Sequence, residues 1–451
     1  MRERRMATDH LENTLLSVLY DRPLPARRLR QLLGNISPAT LSRLTRHASG
    51  KVVTFGQARS TTYARPRDVR GLGYRFPVFM VDAEGNGDKI GELLSLHGGY
   101  RWEGIGEWAS ELYPHLPWFI QDMRPDGFVG RAFAQRFGPD LGLPDRLTAW
   151  RDDDTLVALS RRGEDIVGDL IVGDESITRY VRSVTTIVPV EVTAYPGLAN
   201  AALAGSPPGS SAGGEQPKFS ALVKRGDSCQ HVLVKFSPLV STPQGQRWSD
   251  LLVCEHIALG ILERFGIPAV SSAIHQVGGR TFLEVDRFDR VGLYGRSPVA
   301  SLTVVDAEFT AMGHSWTAAA RALFSARRLT EAAANDMSLL DFFGDLIANT
   351  DRHFGNVSLI PIGEGRTKFR LAPAYDMLPM YYRPRDGEEL NWGAYNSVTP
   401  GAWPEMRDAA KAFWREASGD PRISGPFQAT CRANLEQLSL FDGAPRIIRR
   451  S

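Results

Sequence analysis

The spacing of apolar residues changes character along the chain, and each change predicts a different kind of element. His10–Tyr20 carries Leu11, Leu15, Leu16, Val18 and Leu19, an approximate helical stripe. Pro23 and Pro25 break it. Ala26–Leu33 predicts a second, short helix that stops at Gly34-Asn35, and Ser37-Pro38 opens a third with an N-cap serine and a proline at the first helical position. In that helix, Pro38–Ala48, the pattern turns Leu41 and Leu44 inward and leaves Thr40, Arg43, Arg46 and His47 outward. Val52–Phe55 and Thr61–Ala64 read as short strands around the polar turn Gly56–Ser60. From Gly71 to Gly98 the runs become strand-like, as at Phe76–Val81, with Gly-rich turns. Residues 100–150 scatter Trp102, Trp108 and Trp118 among prolines and read as core and connections.

Further on, strands are expected at Phe219–Val223, His231–Lys235 and Phe282–Asp286, with an apolar helix, Leu251–Phe265, stopped by Gly266-Ile267-Pro268. Met337–Thr350 pairs Leu339/Leu340, Phe342/Phe343 and Leu346/Ile347, the spacing of a buried helix, and strands follow at Val357–Ile360 and Phe369–Leu371. The fold class expected is α+β. Residues 1–66 form a winged helix-turn-helix, 70–150 a small β-rich subdomain, 151–290 an N-terminal lobe with a Gly/Ser-rich loop, and 291–451 a mostly helical C-terminal lobe.

Composition narrows the class. With 43% hydrophobic and 23% charged residues over 451 positions, the chain reads as a globular protein of several domains. Its apolar runs fall short of the roughly 18–20 residues that span a bilayer, and Met1–Glu12 is charged where a secretory signal would be apolar. Cys229, Cys254 and Cys431 lack metal-ligand spacing and suit a reducing cytoplasm. The formal charge of +2 hides an asymmetry. Residues 1–66 hold 12 Lys and Arg against 4 Asp and Glu, a balance of +8, which leaves −6 for the rest. A basic head on an acidic body points to a polyanion partner for the head. Its third helix has the layout that enters a DNA major groove, with Arg59 reaching phosphates from the wing. The alternative is a small protein-docking module. A homodimer would suit paired half-sites, though no residue pattern establishes one.

The chemistry gathers in the second half. Gly205–Lys218 reads Gly-Ser-Pro-Pro-Gly-Ser-Ser-Ala-Gly-Gly-Glu-Gln-Pro-Lys, a loop whose N–H groups, Gly213 and Gly214 among them, can cradle phosphates or simply serve as a linker. It is not a Walker A loop, since Gly-Lys-Ser/Thr is absent. Lys235 stands alone in an apolar strand, where lysine needs an anionic partner, and Glu255 on the following helix is the expected one. Asp351 and Asn356 have the Asp-x-x-x-x-Asn spacing of a kinase catalytic loop, the first to accept a hydroxyl proton and the second to ligate Mg²⁺. Asp376 follows a strand and supplies the second hard-oxygen ligand. His353 is expected to brace the loop. Asp152-Asp153-Asp154 reads as a solvated turn, and His97 and His115 as structural histidines.

These residues resemble the HipA family of bacterial toxin kinases, with the N-terminal head of its YjjJ-like branch. The resemblance covers roughly residues 75–440. It rests on Asn349-x-Asp351-x-His353-x-x-Asn356, Tyr375-Asp376, the Ser210-Ser-Ala-Gly-Gly loop with Lys218, and Val285-Asp286-Arg287-Phe288-Asp289-Arg290. It implies a two-lobed kinase fold that uses ATP and Mg²⁺ to phosphorylate Ser/Thr of a protein substrate. In that scheme Asp351 is the base, Asn356 and Asp376 hold the metal, Lys235 binds phosphates, and an adenine hinge lies near Asp286–Phe288. It also implies autophosphorylation at Ser210 or Ser211, two neighbours that compete for the role because the loop carries an extra residue before Lys218. The usual family member relies on a separate DNA-binding antitoxin, whereas this chain carries its own basic head. Two other readings stay open: a transcription regulator whose kinase-like body senses a ligand, and a small-molecule kinase.

Overall fold

Ser37 begins its helix as a cap should, its hydroxyl accepting the Thr40 N–H at 3.1 Å, and the helix that follows buries Leu41 and Leu44. This is α3 (Pro38–His47), which packs with α1 (Arg2–Val18) and α2 (Ala26–Leu32) around Leu15, Leu19 and Leu29. A short antiparallel sheet closes the head. Its strands β1 (Leu24–Pro25), β2 (Val53–Phe55) and β3 (Thr62–Ala64) lie in the order β1-β3-β2. The computed structural model describes residues 2–184, 186–204, 216–385, 387–396 and 403–440.

The head does not stand free. Ala64 shares a small core with Leu94 and Leu96 of the next unit, Tyr20 stacks on His97 with ring centroids 4.5 Å apart, and the Arg101 guanidinium lies 4.7 Å over the Phe55 ring. His97 is structural, as expected, and seats the head.

The middle unit is a five-stranded antiparallel sheet, with β4 (Arg75–Val81), β5 (Gly87–Leu96), β6 (Gly99–Gly104), β7 (Glu111–Tyr113) and β8 (Leu170–Val172) in the order β7-β6-β5-β4-β8. Helices α4 (Trp118–Gln121), α5 (Gly127–Leu141), α6 (Asp152–Arg162) and α7 (Asp174–Val184) accompany it. The boundary expected at residues 150/151 falls inside this unit. The strand β8 pairs with β4 from about 90 residues downstream, which local periodicity does not reveal. The Asp152-Asp153-Asp154 run is corrected as well. Rather than a solvated turn, it is the first turn of α6, where carboxylates complement the N-terminal end of the helix dipole. Asp154 is buried, accepts the Arg151 N–H at 2.8 Å and pairs with Arg70.

The remaining chain packs a four-stranded sheet on a helical body. After α8 (Tyr195–Ala204) come β9 (Lys218–Arg225), β10 (Ser228–Phe236), α9 (Pro243–Arg264), β11 (Ser272–Val277) and β12 (Arg280–Asp286), the sheet running β11-β12-β10-β9. The helix α9 starts two turns before the apolar run that announces it, because Thr242 caps it through the Gly245 N–H and Pro243 follows. Two-residue strands β13 (Arg290–Val291) and β14 (Gly295–Arg296) make a small ribbon. A three-stranded sheet then forms from β15 (Ala300–Ser301), β16 (Ser358–Ile362) and β17 (Lys368–Leu371). The helices α10 (Leu302–Phe309), α11 (Trp316–Ser325), α12 (Glu331–Leu346), α13 (Pro404–Gly419) and α14 (Gly425–Ser439) build with α9 the largest core, around Phe343, Trp414 and Phe427. The result is mixed helix and sheet, as the sequence predicts.

Candidate active site

Three charged groups from distant parts of the chain meet between the four-stranded sheet and the helical body. Lys235 leaves β10 with only 5% of its side chain exposed, and its Nζ donates to Glu255 Oε1 of α9 at 2.6 Å. The same ammonium pairs with the Asp376 carboxylate. Asp376 is carried there by the segment after β17, whose Ala374 hydrogen-bonds with Pro268 and Val270 beside the sheet. Asp376 itself adopts a left-handed backbone, φ +54°, a conformation few residues other than Gly, Asn and Asp take readily. Its N–H donates to Glu255 Oε1 at 3.2 Å, so Glu255 fixes both the lysine and the backbone of the second carboxylate.

The three groups titrate differently. Burial pulls the Lys235 ammonium down, yet Asp376 and Glu255 together outweigh it and hold its pKa above the ordinary lysine range. At Glu255 burial prevails and raises the pKa, with Lys235 opposing and Asp376 adding repulsion. At Asp376 burial also works upward, but Lys235 and Lys218 bring the pKa below the usual carboxylate range. The opposite shifts arise because Lys235 gains from two carboxylates, whereas Glu255 sets one ammonium against burial and the repulsion of Asp376. Lys218 faces Lys235 across the β9–β10 ladder.

The loop that follows α12 supplies the rest. The chain leaves the helix through Ala348 at φ +60° and turns inward at Asn349, which is fully buried. The Asn349 amide donates to the Asp376 carbonyl at 3.2 Å, and its oxygen accepts the Asp351 N–H at 3.0 Å. One amide thus sets the distance between the Asp351 and Asp376 segments. Asn356 donates its amide N–H to the Asp351 carbonyl at 2.8 Å. Tyr375 closes the circuit, donating to the Gly355 carbonyl at 3.0 Å and meeting Ser358 Oγ at 2.8 Å. His353 braces the turn through Nδ1, which accepts the Gly355 N–H at 3.0 Å, and its carbonyl accepts the Trp316 indole N–H. Arg352 ties the loop back to α12 through Asp341 at 3.1 Å and crosses Gly344 so closely that a Cβ there would lie 2.7 Å from its Cδ.

Asn349 is the residue whose role the spacing did not assign. Its available signal was a lone amide following a strongly apolar helix, a place where an unpartnered polar group is costly to bury.

The expected hinge is partly corrected. The Asp286 N–H already donates to the Ser271 carbonyl and the Arg287 N–H to His231, so neither is left for adenine. The Asp286 carboxylate pairs with Arg225 at 2.9 Å. Phe288 instead offers its ring, which lies 5.9 Å from that of Tyr375 beside the loop. Gly213, Gly214, Ser210 and Ser211 fall outside the described residues.

A divalent cation has suitable partners here. Asn356 commits its amide nitrogen to the protein, leaving the oxygen as its open end, and Asp376 keeps 24% of its side chain exposed. Glu255, Asp376 and Lys235 together carry a surplus of negative charge, and Glu255 Oε2 has no hydrogen-bond partner. One carboxylate and one amide oxygen are a fitting protein share for Mg²⁺, which takes most of its remaining ligands from water and substrate phosphates. Among the described residues no group of three or more His, Cys, Asp or Glu converges as a metal site.

In the head, Arg43 and Arg46 are exposed on α3. His47 is exposed as well, with Glu12 at 3.5 Å, while Thr40 is half-buried with its hydroxyl on Ser37 Oγ. The Arg59 side chain is outside the described set. No helix among the described residues is long and apolar enough to cross a membrane.

Residues 72–181 match the model of the YjjJ-like toxin middle domain, and residues 210–433 match the HipA-like C-terminal domain. The chain is 38% identical over 437 residues to Toxin YjjJ of Escherichia coli strain K12, covering 94% of this chain and 97% of that one. Among solved structures, HipA in the Shewanella oneidensis complex with HipB and operator DNA has 14% identity and a TM-score of 0.45, over 82% of this chain and 97% of HipA. The Helicobacter pylori proinflammatory kinase CtkA has 13% identity and a TM-score of 0.34, over 50% of this chain and 88% of CtkA. The span and identity of the YjjJ match, with the middle-domain match, show that this chain belongs to the family of YjjJ-like toxins with a HipA-like C-terminal domain.

Proposed function

We propose that the chain is an ATP-dependent serine/threonine protein kinase of the HipA toxin type, growth-inhibiting, with an appended DNA-binding head. The observation that carries this reading is the hydrogen-bonded circuit from Lys235 and Glu255 through Asp376 and Asn349 to Asp351 and Asn356. It gathers a phosphate-binding cation, a general base and two hard-oxygen ligands in the order and spacing phosphoryl transfer uses.

In this mechanism Lys235 swings its ammonium from Asp376 toward the nucleotide phosphates while Glu255 keeps its stem in place. Lys218 adds a second positive charge from the facing strand. Asp351 accepts the proton of the attacking hydroxyl, its backbone held by Asn349 so that the carboxylate need not reorganise. Asn356 and Asp376 would hold Mg²⁺, which supplies charge neutralisation on the transferring phosphate. Most of the rate then comes from positioning and electrostatics. Phe288 and Tyr375 present the aromatic surface available to adenine. A phosphate placed on Ser210 or Ser211 would add a dianion to the loop before Lys218 and draw it away from the nucleotide.

For the head, the exposed Arg43 and Arg46 on a capped helix, with a basic balance over residues 1–66, support binding of a DNA major groove. The test is incubation of the purified chain with ATP labelled at the γ-phosphate, followed by intact mass and phosphosite mapping. Label on Ser210 or Ser211 is expected. Nucleotide binding with no transfer to this chain or to any protein in a cell extract would leave a nucleotide-sensing DNA-binding regulator.

A further inference from the structure

The hairpin β16–β17 has its two ends in the active site. Asn356 lies just before β16, and Asp376 lies just beyond β17. Its turn points the other way, roughly 17 Å off for a five-residue strand, and enters the middle unit. There Arg366, at φ +51°, meets Asp169 with both arms of its guanidinium, Nη1 to Oδ1 at 3.0 Å and Nη2 to Oδ2 at 2.7 Å. The guanidinium also lies 5.3 Å over the Trp108 ring. Asp169 is nearly fully buried, and its carbonyl accepts the Val81 N–H, so the anchor is part of the middle sheet itself.

A second hold grips the edge strand β15 of the same small sheet. Asp122, after α4, accepts the Ser301 N–H at 2.8 Å and the Ser301 hydroxyl at 2.5 Å. Ser301 belongs to β15 and sits opposite Ser358 of β16. Burial pushes the Asp122 carboxyl up in pKa despite both donors. A three-stranded sheet whose edge strand has two residues is too slight to fix its own orientation. Two carboxylates of the middle unit supply that constraint.

We infer that the middle domain is a positioning element of the active site, in which Asp169 through Arg366, and Asp122 through Ser301, orient the sheet that delivers Asn356 and Asp376. None of these four touches the reacting atoms. They act on the metal-binding pair through the strands, and the inference rests on the kinase reading given above. A two-pronged Arg–carboxylate contact is suited to such a role because it fixes angle as well as distance.

The experiment is a Mg²⁺ titration at saturating ATP with wild type, Arg366→Ala, Arg366→Lys and Ser301→Ala, scoring γ-phosphate transfer and, separately, the nucleotide-dependent shift in melting temperature. A contact that acts on a site through the strands between them, without touching the ligand, shifts its affinity about two- to thirtyfold. Arg366→Ala should therefore raise the half-saturating Mg²⁺ about tenfold, with maximal transfer recovered at high Mg²⁺. Arg366→Lys should fall between Ala and wild type, since it keeps the charge and loses the fork. Ser301→Ala strands no charge and should move the same parameter in the same direction by less. A merely structural contact would lower the melting temperature and leave the Mg²⁺ midpoint in place. Midpoints within twofold of wild type in folded Arg366→Lys and Ser301→Ala overturn the inference while leaving the kinase reading intact. If wild type binds nucleotide without transferring phosphate, the kinase reading fails and the midpoint of the melting shift decides the inference. If wild type does neither, both fall together.

Discussion

Two buried ionic networks lie on either side of β12, and they solve the burial of charge in opposite ways. Beyond the strand, Arg287, Asp289 and Arg290 lock onto Asp165 and the backbone around Gly168 of the middle unit. Asp289 accepts from Arg290 at 2.6 Å, from Arg287 at 2.8 Å and from the Gly168 N–H at 3.0 Å, and Arg290 also donates to the Ile166 and Gly168 carbonyls. Before the strand, Lys235 bridges Glu255 and Asp376 while Lys218 acts on both carboxylates from the facing strand, and Glu255 Oε2 has no hydrogen-bond partner. In the first network Asp289 is fully hydrogen-bonded, and the cluster holds two units together. The second leaves a buried carboxylate oxygen without a partner beside a partly exposed carboxylate, the condition in which a cation or a phosphate-bound metal is welcome.

The largest expected effect falls on the Asp289 side. Asp289→Ala strands two arginines, and breaking a buried pair in this way costs about 3–5 kcal/mol. Chemical unfolding should show that loss, with transfer by the folded fraction reduced far less than by a change at Lys235. Lys235→Met probes the other network. Glu255 can then take a proton, so the fold should persist, while transfer falls about 10²–10³-fold as expected for loss of a preorganised phosphate donor. A stability loss at Lys235→Met as large as that at Asp289→Ala would erase the contrast.

Acidification separates the two without mutation. Burial works upward at Asp289, but its arginines prevail and depress the pKa strongly below its ordinary 3.8, so the stability it contributes is present above that value and is lost only as pH falls through the folded pKa. Burial raises Glu255 above its ordinary 4.5, so it takes up its proton earlier and releases its hold on Lys235. Mg-ATP binding should therefore disappear at a higher pH than the fold, measured by the nucleotide-dependent melting shift beside near-ultraviolet dichroism. Simultaneous loss would contradict the assignment of the two roles. The smallest effect concerns the head. Arg43→Ala or Arg46→Ala should weaken DNA binding and make the salt dependence shallower by about one phosphate contact each, with phosphoryl transfer unchanged.

Much of the site is legible in the sequence because its parts are local. The Asp351–Asn356 spacing, the carboxylate after a strand at Asp376 and the lysine inside an apolar strand each announce themselves within a few residues, and the structure brings all of them together with Glu255. The helices and hairpin of the head follow from caps and breakers in the same way. What the sequence hides is long-range. The strand β8 joins its sheet across the chain, so the 150/151 boundary is misplaced, and the contacts of Asp169 and Asp122 with the hairpin have no local pattern. Asn349 belongs between these cases, since its amide reads as a loop residue until Asp351 and Asp376 are seen on its two ends. The run Asp152–Asp154 was readable as a helix start, because three acids precede the apolar Leu156, Val157 and Leu159.

The central claim is that Asp351 is the base of a phosphotransferase, held in place by Asn349 and separate from the groups that bind Mg-ATP. Parallel measurement of γ-phosphate transfer and of the Mg-ATP-dependent melting shift in wild type and Asp351→Ala tests it most directly. The account predicts that transfer falls about 10²–10⁴-fold, the range for a lost general base, while the melting shift stays close to wild type. Transfer at the wild-type rate in Asp351→Ala would contradict it.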